Sequence, residues 1–294
     1  MSNNMSNNML NDIKKLESAF IELIHKRFGL VTHVNQAKEL AKTISTACNK
    51  FHYQPQEYLE QLKKCSSNSS LLADLVASIT VGESYFFRDK NQVHLLENKL
   101  LPQLIKQKSH DFTLKIWSAG CSSGEEIYTI AMLLAELIPH IDIWNLCLLG
   151  TDINTAALQK ATAGTYGQWS MRSIPEKYMQ RYFLKSNSTH ILSPEIRDLV
   201  QFKYLNLCDN SYPSIINGIF EVDLILCRNV LIYFDNELVT KIMKKISACM
   251  TEDAYLLLGA SDPIVTTGTN LVFHHDGAIY FSLDKGDGTK KDFE

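Results

Sequence analysis

At 294 residues, with 45% hydrophobic and 21% charged side chains, the chain has ample material for one large globular domain or two smaller ones. A formal net charge of −3 gives no bulk attraction to nucleic acid or anionic lipid, and no basic stripe argues for a nucleic-acid substrate. No apolar run approaches the roughly 20 residues of a membrane span, so direct membrane insertion is not expected. Seven widely spaced cysteines lack a C-x-x-C pair. That pattern favours reduced thiols in a cytoplasmic protein over a disulfide framework or a metal site. Cys147 and Cys227 lie in apolar runs and read as buried core residues.

Residues 1–10 open on a Ser/Asn repeat without the plan of a signal peptide and read as a disordered lead-in. Residues 11–79 read as an N-terminal helical domain. Ile13, Leu16, Phe20, Leu23, Ile24 and Phe28 recur at helical spacing, with Gly29 as a stop. Leu40, Ala41, Ile44 and Ala47 mark a second helix, Pro55 opens a third, and Leu71 to Ile79 form a fourth after a polar run. No glycine-rich linker follows, so this domain is expected to pack on the next one. Thr80 to Asp89 then carries three consecutive aromatics beside Arg88, too apolar for an idle loop. The helix through Val93, Leu96, Leu100 and Leu104 is expected to be disturbed near Pro102.

From residue 114 strands and helices alternate, which predicts an α/β fold with a doubly wound sheet. Leu114 to Trp117 is an apolar strand; Gly120-Cys121-Ser122-Ser123-Gly124-Glu125-Glu126 is a turn; Ile127 to Ile138 is a helix. Such a turn offers backbone N–H groups to a nucleotide-like ligand, or merely packs a strand tightly on a helix. It is neither a G-x-G-x-x-G fingerprint nor a phosphate loop. Asp152, at the tip of the second strand, stands where nucleoside-binding folds hold ribose hydroxyls; helix capping is its other reading. Residues of about 164–203 interrupt the alternation and read as a small inserted β subdomain, with short strands at His190 to Leu192 and Leu199 to Phe202. Val222 to Cys227 is a third strand, followed by Arg228-Asn229-Val230-Leu231-Ile232-Tyr233-Phe234. Asp276-Gly277 closes a terminal hairpin, so the last strand is antiparallel. The sheet domain spans 80–284, and 285–294 is a polar tail.

With these pieces in order, the chain resembles the chemotaxis receptor methyltransferases of the CheR family. The matching stretches are Thr-Val-Gly-Glu-Ser-Tyr-Phe-Phe-Arg-Asp (80–89), Trp-Ser-Ala-Gly-Cys-Ser-Ser-Gly-Glu-Glu (117–126), Thr-Asp-Ile-Asn (151–154) and Cys-Arg-Asn-Val-Leu-Ile-Tyr-Phe (227–234). The resemblance implies an S-adenosylmethionine cofactor, released as S-adenosylhomocysteine, and methylation of glutamates in the cytoplasmic helical region of membrane chemoreceptors. By position it places Ser84 and Arg88 at the methionine end of the cofactor and Glu126 near its ammonium. Asp152 falls at the ribose, with Asn206, Leu207, Arg228 and Asn229 around the adenosine. Gly82 stands where some relatives have Asn, and Gly120 lies in the matching turn. Tyr233 is implied near the reacting methyl, where it would help orient the acceptor, and Arg88 is expected to anchor and screen the carboxylates.

Two departures concern the acceptor. Many receptor methyltransferases carry an arginine-rich second helix, whereas this chain has only Lys38, Lys42 and Lys50 there, offset by Glu39. Relatives that grip a receptor's C-terminal tether have a glycine-rich loop in the insertion, whereas Lys185 to His190 contains no glycine. Tight tether docking is therefore not expected. The alternatives are methylation of another protein in a chemosensory-like pathway, or a cofactor-binding module without turnover.

Overall fold

The computed structural model describes residues 2–31, 37–66, 69–80 and 82–285. The apolar stripes bring α1 (Ser2–Phe28), α2 (Ala37–Phe51), α3 (Pro55–Lys64) and α4 (Ser70–Ile79) together around Phe20, Ile24, Ile44, Tyr58, Leu62 and Leu75. Each boundary has a local cause. Gly29 takes φ +72° and donates its N–H to the His25 carbonyl at 2.7 Å, ending α1. Pro55 sits where a helix needs no N–H donor, and the Ser69 hydroxyl accepts from the first turn of α4. Helix α1 begins at Ser2, which corrects the reading of residues 1–10 as a lead-in. Once a helix is nucleated, each added residue costs little. The packed turns around Met9 and Ile13 therefore carry a Ser/Asn stretch of poor propensity.

Helices α5 (Lys90–Leu95) and α6 (Leu101–Gln107) are one run interrupted by a π-helical turn over Leu96–Leu100. The irregularity immediately precedes Pro102, which has no N–H to give to an α-helical ladder.

The alternating region follows as β1 (Thr113–Ala119), α7 (Glu125–Leu137), β2 (Asn145–Asp152) and α8 (Thr155–Ala163). Next come β3 (Thr165–Gly167), α9 (Glu176–Tyr182), β4 (Phe183–Ser186), β5 (Thr189–Leu192) and α10 (Pro194–Arg197). Finally there are β6 (Val200–Tyr204), β7 (Val222–Cys227), α11 (Asn236–Ser247), β8 (Met250–Leu258), β9 (Leu271–His275) and β10 (Ile279–Leu283). The main sheet runs β6-β2-β1-β7-β8-β10-β9, with β10 antiparallel to both neighbours. The chain leaves β1 toward β2 on one side and returns through β7 on the other, so β1 and β7 flank the point where strand order reverses. Every residue of β7 is buried, as expected of a parallel strand covered on both faces. Separate apolar cores lie on the two faces, one beneath α7 and the α5–α6 run, the other beneath α11.

The insertion is a three-stranded antiparallel sheet, β3-β5-β4, with α9 and α10. The strand expected at Leu199 to Phe202 is β6, and it belongs to the main sheet: it pairs in parallel with β2 from Leu148↔Val200 to Asp152↔Tyr204. The insertion thus closes with α10 instead of reaching residue 203. A five-residue strand does not encode its partner locally, and here it covers the otherwise open edge of β2. Cys147 is another correction. It lies in the outer half of β2 and is exposed, whereas Cys227 is fully buried; all seven thiols are free. Apart from Lys285, the polar tail lies outside the described residues, as does Val81 of the first motif.

Candidate active site

A cavity of about 570 Å³ opens at the carboxyl ends of β1, β2 and β7, with α1, α2 and α4 of the helical domain closing its other side. This is the switch point at which open α/β sheets bind ligands. All the residues singled out from sequence line it: Gly82, Ser84, Arg88, Gly120, Glu126, Asp152, Asn206, Leu207, Arg228, Asn229 and Tyr233. Among the described residues, none that lines it is a histidine or a lysine.

The turn after β1 is drawn tight against β2. The N–H groups of Gly120 and Cys121 both donate to the Thr151 carbonyl, at 2.8 and 2.9 Å. Gly120 takes φ +78°, and a Cβ there would fall 2.5 Å from Val230 Cγ2. The Asp152 carboxylate accepts from the Ser122 and Asn154 N–H groups, each at 2.8 Å. Burial raises its pKa, and these backbone donors pull it part of the way back. Glu126, in the first turn of α7, accepts from the Ser118 hydroxyl at 2.7 Å and from Arg228 Nη1 at 3.1 Å. Both members of that ion pair are largely hidden, at 6% exposure for the Arg228 side chain and 15% for Glu126.

The turn after β7 is held differently. Buried Asp262, beyond β8, accepts from the backbone N–H groups of Gly259, Asn229, Val230, Leu231 and Ile232. One carboxylate thereby holds the turn from Asn229, at φ +58°, to Ile232, and the Tyr233 N–H donates to the Val230 carbonyl at 3.2 Å. Burial raises the pKa of Asp262, opposed by the backbone donors of Asn229, Gly259, Ile232 and Leu231. Burial also raises the Tyr233 phenol, and the Arg88 charge draws it back, which places the two groups within electrostatic reach.

Arg88 stands between two left-handed residues, Phe87 at φ +56° and Asp89 at φ +67°. Non-glycine residues adopt such backbone only where surroundings enforce it. Phe86 and Phe87 are buried, the former edge-on to Tyr166 and Phe183, the latter against Tyr178. The Arg88 carbonyl accepts from Arg228 Nη2 at 2.8 Å. Its guanidinium donates to the Glu83 carbonyl at 3.0 Å and, among the described residues, pairs with no carboxylate.

The helical domain completes the wall as expected of a packed neighbour. The Val31 N–H donates to the Tyr233 carbonyl at 2.9 Å, and Asn206 Nδ2 donates to the Arg27 carbonyl at 3.1 Å. The Asn154 amide reaches the Thr80 hydroxyl at 2.9 Å, while Ile153 packs into the helical core.

The model of the CheR methyltransferase SAM-binding domain matches residues 82–279. The chain belongs to the CheR methyltransferase family. It is 33% identical over 268 residues to a chemotaxis protein methyltransferase of Borreliella burgdorferi, covering 89% of this chain and 92% of that one. Chemotaxis protein methyltransferase 1 of Pseudomonas aeruginosa is 37% identical over 196 residues, 65% of this chain and 69% of its own. A chemotaxis protein methyltransferase of Listeria innocua is 29% identical over 260 residues, 87% and 93% of the two chains. This CheR-family protein is an S-adenosylmethionine-dependent methyltransferase, and among its described residues no helix is long and apolar enough to cross a membrane.

The cavity's chemistry fits that cofactor. Its volume lies within the range of small-molecule sites, about 300–1,000 Å³. Carboxylates at Glu126 and Asp152 suit an ammonium and a ribose diol, and the unpaired guanidinium of Arg88 suits a carboxylate. Arg228 Nε is buried without a hydrogen-bond partner, an orphan donor in the wall of the site. Sequence reasoning missed Asp262 and the buried carboxylate Glu125. Asp262 had one faint signal, an acid three residues after the glycine that ends a strand. Glu125 was part of a matching motif but carried no sign that it would point away from the cavity.

Proposed function

We propose that this CheR-family enzyme transfers the methyl group of S-adenosylmethionine to glutamate side-chain carboxylates of chemotaxis receptors, at their cytoplasmic helical region. The observation that supports this reading is that Arg88 and Tyr233 line one cavity in which, among the described residues, no lysine or histidine stands as a general base. A glutamate acceptor needs none, because its carboxylate is already ionised at neutral pH. When bound, the cofactor supplies an electrophilic methyl on a sulfonium. An acceptor carboxylate held in line with that methyl would form a carbon–oxygen bond as the carbon–sulfur bond breaks, and both charges would be neutralised in the products.

The protein's share is alignment and exclusion of water. Glu126, steadied by Ser118 and Arg228, receives the ammonium; Asp152 receives the ribose hydroxyls. Ser84 and Arg88 hold the methionine end, while Asn206, Leu207, Arg228 and Asn229 border the adenosine. Gly82 and Gly120 leave room for the ligand against the backbone. Arg88 screens cofactor and acceptor carboxylates from each other, and Tyr233 orients the acceptor oxygen.

The test is transfer of labelled methyl to receptor-containing membranes, followed by mild base. Label released as volatile methanol identifies a carboxyl methyl ester, and Arg88→Ala is expected to lower its rate at least ~100-fold. A base-stable product, or full turnover by that variant, contradicts the assignment. Binding of a free receptor C-terminal peptide is expected to be weak, since the β4–β5 turn carries Asn187 in place of a glycine loop, and micromolar affinity would contradict it.

A second acceptor class, another signalling protein, has one observation in its favour. On α2, Lys50 pairs with Asp74 and Lys42 lies 4.0 Å from Glu39, which leaves a modest basic face for an acidic receptor. Label appearing in cytosolic protein instead of membranes would favour it.

A further inference from the structure

The buried carboxylate of Glu125 faces away from the cavity, touches no cation among the described residues, and yet sits where the turn after β1 meets the insertion. The Ser123 hydroxyl donates to it at 2.9 and 3.0 Å, and the Ser170 hydroxyl of the insertion donates at 2.9 Å. The Glu125 carbonyl accepts from the Thr129 hydroxyl at 2.7 Å, one turn further along α7. Ser170 and Thr129 then hold the two residues that precede Arg88. The Phe86 N–H donates to the Ser170 carbonyl at 3.0 Å, and the Phe87 N–H donates to Thr129 Oγ1 at 3.1 Å. Phe87 is the left-handed residue directly before Arg88, so its backbone cannot relax without swinging the guanidinium. Neither Thr129 nor Ser170 lines the cavity.

We propose that Thr129 and Ser170, both anchored on Glu125, are positioning residues that set Arg88, and that the insertion is thereby built into the cofactor site. This rests on the assignment of Arg88 to the methionine end of the cofactor. Removing the Thr129 oxygen leaves the buried Phe87 N–H unpaired and frees the strained turn to rotate. Losing the Ser170 hydroxyl loosens the same turn from the side of the insertion.

The test is a double-mutant cycle read by calorimetric affinity for S-adenosylhomocysteine, which needs no acceptor. Thr129→Val is expected to weaken binding about five- to thirtyfold, and Thr129→Ser to restore it within about twofold. In an Arg88→Ala background, Thr129→Val should change affinity by less than about twofold, because the group it positions is gone. Ser170→Ala, a milder change that retains the carbonyl, should follow the same pattern with a smaller loss. It serves as the working variant if Thr129→Val does not fold. Effects that multiply with Arg88→Ala would overturn the proposal and mark a merely structural role, as would wild-type affinity in both variants. If Arg88→Ala itself binds as wild type does, the assignment of Arg88 fails and the positioning role with it.

Discussion

The two turns that follow the neighbouring strands β1 and β7 are built on opposite principles. The turn after β1 holds itself: Gly120 supplies the positive φ, and its amides bond to Thr151 in the neighbouring strand. The turn after β7 closes its far end itself, through the Tyr233 and Phe234 amides bonded to the Val230 and Leu231 carbonyls, but its first four N–H groups are held from outside. Its shape comes from Asp262, a residue about 30 positions away, which gathers four of its N–H groups together with that of Gly259. The first turn tolerates no side chain at Gly120, where a Cβ would strike Val230, whereas the second depends on one distant charge. Arg228 ties them together, reaching back from the second turn to Glu126 and to the Arg88 carbonyl.

The largest way to break that contrast is Asp262→Asn. An amide nitrogen would face N–H donors, leaving several of them unpaired, at an expected stability loss of about 3 kcal/mol. Methyl transfer should fall at least ~100-fold with it, as Tyr233 and Asn229 lose their placement. Chemical denaturation and initial rates measure the two effects. A variant with near wild-type turnover would show that the turn keeps its shape unaided.

Gly120→Ala should be intermediate, destabilising by about 1–3 kcal/mol through its positive φ and the clash with Val230. Because the obstructing atom belongs to the other turn, adding Val230→Ala should recover part of the lost cofactor affinity. The backbone component of the loss should stay. No recovery would mean that the two turns are not in steric contact during binding.

The smallest effect is one of pH. Burial raises the pKa of Asp152, so its charge is lost at a higher pH than that of an exposed aspartate. Cofactor affinity should therefore weaken as pH falls toward that raised value, and Asp152→Asn should flatten the dependence. The stability term has the opposite sign. A raised carboxylate pKa costs the folded state at neutral pH, and the cost is relieved as pH falls from the folded toward the unfolded value. Asp152→Asn removes this pH-dependent cost but turns an amide nitrogen toward either the Ser122 or the Asn154 N–H, so its stability should be lower by the lost bond and no longer change with pH over this range. Equilibrium unfolding across pH, read beside the affinity profile, separates these opposite trends.

Much of the molecule was legible in the residues because its causes are local. The bundle's helices follow from apolar spacing, with Gly29, Pro55 and Ser69 at their ends. The alternation after Leu114 and the Asp-Gly hairpin imply a mostly parallel sheet with an antiparallel finish, and the four motif stretches lie around one cavity. The tertiary structure alone decided what depends on non-local pairing. Strand β6 joins the main sheet because an open edge of β2 receives it, and α1 extends to Ser2 because the turns behind it are packed. Asp262 and Glu125 looked like ordinary acids in the sequence. A buried carboxylate takes its meaning from the donors that converge on it, and those donors come from segments distant in the chain. The sequence by itself determined which side chains meet at the cavity; the fold decided which buried carboxylates hold them there.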